Sequence, residues 1–187
     1  LRFSEIANQL REAAYWARQR GSERIGRTDI EEATRRRERR EGAISDRIQE
    51  LLEEGTLLVS TSGAAIGQVN GLSVFDLGYH AFGKPTRITA SAAPGRAGII
   101  NIEREARLSG GIYDKGVLII SGYLRRFFAD LGPLSLTASL AFEQSYAGVD
   151  GDSASIAAVV ALMSELSGIP VGQGIAITGS ITQHGEV

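Results

Sequence analysis

Apolar residues recur at helical spacing over the first part of the chain and switch to short β-branched runs over much of the rest. Ile6, Leu10, Ala13, Ala14 and Ala17 fall on one helical face, with Arg11, Glu12 and Arg18 on the other, which predicts an amphipathic helix. Gly21-Ser22 interrupts it. The stretch "RTDIEEATRRRERR" then predicts a second helix, in which Thr28 and Glu31 have the spacing of a capping box. "ISDRIQELLEEG" predicts a third, from near Ser45 to a stop at Gly55.

From Thr56 the pattern changes. "TLLVST", "IGQVNGLSVFDL", "PTRITASAAPG", "GIINIERE" and "LSLTASLAFEQ" are rich in β-branched residues and punctuated by Gly and Pro, so each predicts a strand. Two helical stretches interrupt them, one around "YDKGVLIISGYLRRFFADLG" and one in "SASIAAVVALMSELSG". A further strand, "GQGIAITGSI", follows. The expected fold class is α+β: a small all-helical unit over residues 1–43, then a mixed α/β domain over 44–187. No internal repeat is evident.

Charge sharpens that division. The first 54 residues hold 12 of the 20 Lys and Arg and 12 of the 22 Asp and Glu. The run from Arg35 to Arg40 is interleaved with Glu38 and followed by Glu41, which reads as a solvated helix face before it reads as a phosphate site. A net charge of −2 gives no support for a nucleic-acid surface. With no cysteine, disulfides, thiol nucleophiles and Cys-ligated zinc are excluded. No apolar run has transmembrane length and nothing reads as a signal peptide, so a cytoplasmic protein without membrane contact is expected. The opening on Leu1 suggests a piece of a longer protein.

Two glycine-rich motifs fail on inspection. "GYHAFGK", Gly78 to Lys84, has G-x4-G-K spacing, but Pro85 stands where a phosphate loop needs Ser or Thr, and a strand follows where a helix should. It reads as a hairpin turn. "GAAIGQVNG" lacks G-x-G-x-x-G spacing, and no serine sits in G-x-S-x-G.

The stretch Gly148–Gly168, "GVDGDSASIAAVVALMSELSG", is more informative. It turns at Asp150-Gly151 and then enters an apolar helical run, placing the Ser153 hydroxyl where helix amides are unpaired and negative charge is welcome. A serine nucleophile needs a base. His80 lies in an expected turn, His184 near the chain end beside Glu186, Lys84 in the rejected loop, and Lys115 at the start of an amphipathic helix. None of them is a convincing partner. Asp150 also suits an Asp-Gly turn, Asp152 an N-cap and Thr178 a buried strand, so structural roles stay open for all three.

The block from Gly148 to Val187, with "GDSAS" followed by "AITGS", closely resembles the active-serine region of Lon-type ATP-dependent proteases, especially the LonB and LonC branches. "GQVNGLSV", Gly67–Val74, resembles the segment that begins their proteolytic domain. "LRFSEIANQLREA" resembles the lid subdomain of the AAA+ module that precedes it. The resemblance implies a serine endopeptidase with a Ser-Lys dyad in which Ser153 is the nucleophile. It puts the lysine in a Gly-Gly loop past the "GEV" strand, beyond Val187. It also implies that Asp150 and Asp152 shape the loop before the serine, that Thr178 orients the lysine amine, and that Arg2 reaches nucleotide as a lid sensor. Unfolded protein substrates, a homo-hexameric ring, and ATP with Mg²⁺ used by the longer parent follow from the same resemblance. The rival expectation is a non-catalytic module for oligomerisation or substrate docking. A Ser-His hydrolase using His184 is a third.

Overall fold

The computed structural model describes residues 3–76, 81–131, 135–146 and 148–187, with backbone alone for residues 75, 76 and 131. The chain forms two compact units, residues 1–50 with 76–81, and residues 51–75 with 82–187.

The first unit is built on α1 (Phe3–Gln19) and α2 (Arg27–Glu53). Its most buried positions are the small side chains Ala13, Ala17 and Ala33. Helices that meet through alanines can pack closely. Gln9 reaches across from α1 to Thr34 of α2 at 2.8 Å. Gly26, the residue before α2, donates its N–H to Asp29 Oδ2 at 2.8 Å, so the third helical residue caps backward. The expected Thr28–Glu31 box does not form, because the helix starts at Arg27 and Glu31 pairs with Arg27 instead. Arg20 adds two bonds to the Asp29 carboxylate, 3.2 and 2.7 Å. The Gly26 amide first, and then Arg20, hold that carboxyl below its ordinary value.

The second and third expected helices are one. Ser45 does not start a new helix: its hydroxyl donates back to the Gly42 carbonyl at 2.7 Å and α2 continues to Glu53. The helix does stop at Gly55, where φ is +72°. Most of the arginine run is spent internally, since Arg35 and Arg36 meet Glu32, Arg37 meets Glu41 and Arg40 meets Glu12.

The second unit has a five-stranded sheet in the order β4-β5-β3-β2-β7. Its strands are β2 (Gln68–Asp76), β3 (Ala81–Pro94), β4 (Gly98–Asn101), β5 (Leu136–Phe142) and β7 (Ala176–Ile177). β5 runs antiparallel to β3 and parallel to β4, and β2 runs parallel to β7. A two-stranded ladder joins β1 (Ala64–Ala65) to β6 (Val171–Gly172). Along β5, Leu136, Ala138, Leu140 and Phe142 point inward in strict alternation. They join Ile88 and Ala90 of β3, with Tyr113, Val117, Ile120 and Leu124 from α4 (Gly111–Phe127) and Ala157, Ala158, Ala161 and Leu162 from α5 (Ser155–Ser167), in one core. The expected α+β class is what the chain adopts.

Three predicted strands changed. "TLLVST" is irregular, its backbone satisfied by side chains: Gln144 accepts from the Leu58 N–H and donates to the Thr56 carbonyl, and Asn70 donates to the Ser60 carbonyl. "GIINIERE" divides at Asn101, whose side chain accepts the Arg104 N–H and starts a one-turn helix, α3 (Ile102–Glu105). "GQGIAITGSI" is mostly irregular and contributes the two-residue strand β7. Ala81–Lys84 of the rejected phosphate loop lie in strand β3, while Gly78, Tyr79 and His80 fall outside the described residues.

Candidate active site

Ser153 sits in the turn just before α5, one residue earlier than the N-cap position, which is Ala154. Gly151, at φ +95°, makes the sharp bend that the sequence predicts at Asp150-Gly151. The Asp152 carbonyl then accepts from the Ser155 amide at 2.9 Å and from the Ser155 hydroxyl at 2.5 Å. Asp152 therefore does not cap through its side chain; its backbone does the work, and the helix has no side-chain cap. Ser155 is buried, and a Cβ at Gly116 of α4 would lie 2.9 Å from its hydroxyl. That contact seats the turn against α4, a role the sequence reading did not assign to Ser155.

The Ser153 carbonyl is held from the far side. Gly179 donates its N–H to it at 2.6 Å and Thr178 its hydroxyl at 3.3 Å, while the Ile156 amide returns a bond to the Gly179 carbonyl at 3.2 Å. Thr178 lies just past β7 and is exposed, not buried in a strand. Its contact is with the backbone of Ser153. The Ser153 side chain is left exposed, and the Ser153 and Ala154 amides meet no acceptor among the described residues.

Asp150 faces another way. Its Oδ1 accepts the amides of Ile112 and Tyr113, each at 3.1 Å, and so caps the N-terminus of α4 from across the fold. The cap residue of that helix, Gly110, has no side chain to do so, and a Cβ there would come within 2.3 Å of Asp150 Cγ. Bonds from the Gly151, Tyr113 and Ile112 amides keep the Asp150 carboxyl below its ordinary value, so it is ionised at neutral pH. A parallel bridge between Ser109 and Val149 extends the seam. Asp114 completes it by accepting from Asn101 at 3.1 Å and Ser109 at 2.7 Å.

These residues border a cavity of about 430 Å³ that takes in Ser153, Ala154, Asp150 and Thr178, with Leu72, Val74 and Phe142 on its apolar side. Among the described lining residues Asp150 is the sole ionisable group, and it is committed to α4. The other expected players lie elsewhere. His184 Nδ1 accepts from Arg126 at 2.6 Å, and Glu186 bonds to Thr182, so Glu186 does not orient the histidine. Lys84 lines a different, much smaller space beside Glu143, and burial lowers its pKa. Lys115 is exposed on α4. Arg2 and His80 lie outside the described residues.

Comparison with known proteins fits this layout. Residues 1–40 match the family model described as the AAA+ ATPase lid domain of archaeal LonB, and residues 144–187 match that of the Lon protease C-terminal proteolytic domain. The chain belongs to the Lon protease family. It is 44% identical to a Lon protease homolog of Escherichia coli (strain K12) over 152 residues, 80% of this chain and 26% of that protein. It is 44% identical to another from Haemophilus influenzae over 131 residues, 69% of this chain and 22% of that one. An archaeal Lon protease of Pyrococcus abyssi is 32% identical over 188 residues, 100% of this chain and 18% of its own length. The chain thus spans only 18–26% of the length of these three relatives. The stretch matched to the Lon proteolytic domain contains Ser153, Asp150, Asp152 and Thr178. No helix among the described residues is long and apolar enough to cross a membrane.

Proposed function

We propose that these residues form part of a Lon-type serine endopeptidase in which Ser153 is the nucleophile. The observation that carries this reading is the exposed Ser153 hydroxyl at the edge of the 430 Å³ cavity, on a turn whose carbonyl is clamped and whose amides are free. The Ser153 Oγ attacks the peptide carbonyl carbon and its proton passes to a neutral lysine amine in the sequence after Val187. The free amides at the start of α5 stabilise the oxyanion, an effect usually worth about 3 kcal/mol per donor. The C–N bond then breaks as the lysine returns the proton to the leaving amine. Water, deprotonated by the same lysine, hydrolyses the acyl ester and releases the carboxylate and Ser153. Asp150 and Thr178 position this turn, Asp150 through α4 and Thr178 through the Ser153 carbonyl.

The wider reading is a homo-hexameric cytoplasmic protease for unfolded proteins, with ATP and Mg²⁺ used elsewhere in the longer protein. The one glycine-lysine spacing runs into strand β3, so no nucleotide step is assigned to these residues.

In the full-length protein, Ser153→Ala should lower casein and peptide hydrolysis by ~10³-fold or more while leaving the thermal transition unchanged. Full activity in that variant overturns the assignment. The lack of a base among the described lining residues favours one rival, a docking or assembly module. A lysine after a Gly-Gly loop in the reading frame past Val187 supports the protease, and its absence supports the module.

A further inference from the structure

At the opposite end of α4 from the Asp150 cap lies a second, unrelated cavity. It holds about 110 Å³ and is lined by Arg96, Gly98, Ile99, Ser121, Arg125 and Leu136, among others. Among the described residues its two charged members are both arginines, delivered by different elements, and no carboxylate lines it. Many arginines elsewhere in the chain are spent on partners. Arg20, Arg27, Arg35, Arg36, Arg37, Arg40, Arg47 and Arg104 each meet an acidic side chain, and Arg87 and Arg126 meet Ser60 and His184. Arg96 and Arg125 meet none among the described residues, which is true also of Arg18, Arg24, Arg39 and Arg107, but these two line one cavity.

The setting of Arg96 is built, not incidental. It projects from the turn between β3 and β4, which is pinned on both sides. The Gly95 amide donates to the Ser135 carbonyl at 3.3 Å, and the Ala97 amide to Thr137 Oγ1 at 3.2 Å. Gly95 sits so close to Thr137 that a Cβ would lie 2.1 Å from its hydroxyl, and Gly98 closes the turn at φ +72°. Arg125 comes from the last turn of α4, where a cation also offsets the partial negative charge of the helix end. Leu124 and Leu136, both buried, make the floor apolar, while Arg96 and Arg125 stand exposed at its rim. Ser121 donates to the Val117 carbonyl at 3.1 Å, so the guanidinium groups are left to do the recognition.

We propose that this cleft binds a single phosphate group. Two guanidinium forks match the geometry of a tetrahedral oxyanion, and their summed charge suits phosphate, which carries about −1.5 to −2 at neutral pH, better than a carboxylate. The site is independent of the proteolytic reading, because it shares no lining residue with the Ser153 cavity.

The test is calorimetric titration of the full-length protein with inorganic phosphate at constant ionic strength, with acetate as the carboxylate arm. A phosphoserine peptide forms a third arm and separates free phosphate from a phosphorylated chain as the source. Saturable phosphate binding that weakens roughly tenfold in Arg96→Gln and again in Arg125→Gln is expected, with Arg107→Gln unchanged. Tighter binding of the peptide than of phosphate assigns the group to a phosphorylated chain, and the reverse assigns it to the free ion. Heats that do not saturate, that acetate reproduces, or that all three variants retain, overturn the proposal. Far-ultraviolet circular dichroism of each variant confirms that a lost signal is not lost folding.

Discussion

Asp150 carries two readings that pull in different directions, and its contacts separate them. As part of a serine site it would face the nucleophile; instead its carboxylate is spent on the Ile112 and Tyr113 amides. On the proposed reading it acts on Ser153 by fixing where the turn stands, and small displacements of a nucleophile are costly, up to about 100-fold per ångström. Asp150→Ala should therefore lower kcat by ~10- to 100-fold with KM little changed, and Asp150→Asn, which keeps an acceptor, should lose less. Gly110→Ala should behave like Asp150→Ala, since its methyl group would occupy the carboxylate's place. Steady-state peptide kinetics on the three variants checks this; a KM effect alone would contradict it. The pH dependence has a definite sign. A carboxyl held below its ordinary 3.8 contributes stability that is present above that value and lost as pH falls through the folded one, so Asp150→Asn should remove part of the acid sensitivity of unfolding.

The elements around the site hold a second carboxyl of opposite behaviour. Glu103 on α3 is 4% exposed; one oxygen accepts the Phe142 amide at 2.8 Å and the other has no partner, as is also true of the buried Tyr113 hydroxyl. Desolvation raises the Glu103 pKa, Glu143 adds to the rise, and the Phe142 bond opposes it. Tyr113 is likewise raised, by burial first and then by Glu103 and Asp114. For Glu103 the favourable contribution is complete below its ordinary 4.5 and is lost as pH rises through the folded value. Glu103→Gln keeps the acceptor for Phe142 and removes the charge. The variant should thus gain on the wild type as pH rises above 4.5, with a denaturation midpoint that falls less steeply there. A parallel pair of profiles would refute that account. Element boundaries were the least legible feature for the same reason these groups matter. Asn101 ends a strand by a local cap on the Arg104 amide, whereas Gln144 satisfies a segment that reads as a strand through a long-range hydrogen bond that no local period encodes.

Across the whole molecule the two units are stabilised differently. The helical one relies on buried alanines, a backward cap at Asp29 and surface ion pairs of about 0.3–0.5 kcal/mol each. The α/β one has a continuous core of aliphatic and aromatic side chains, with Leu140, Ile88, Ile120 and Leu162 almost wholly buried. Leu140→Ala should cost ~2–5 kcal/mol by denaturant unfolding, whereas truncation of the exposed Leu118 should stay within ~0.5 kcal/mol. Equal effects from the two would mean that β5 does not form the centre of the core.

The sequence by itself determined the class of the fold, the change from helical to mixed structure near residue 55 and the bend at Gly151, and it singles out Ser153 as a candidate. Those features are local: a hydrophobic period, a glycine that permits positive φ, and a serine set before an apolar helix. Tertiary structure alone decided the rest. It turned Asp150 toward α4, set Thr178 and Gly179 on the Ser153 carbonyl, seated Ser155 against Gly116, and gathered Arg96 and Arg125 at one cleft. Each of these joins residues that lie tens of positions apart, and a partner at that separation is chosen by how the sheet and helices pack.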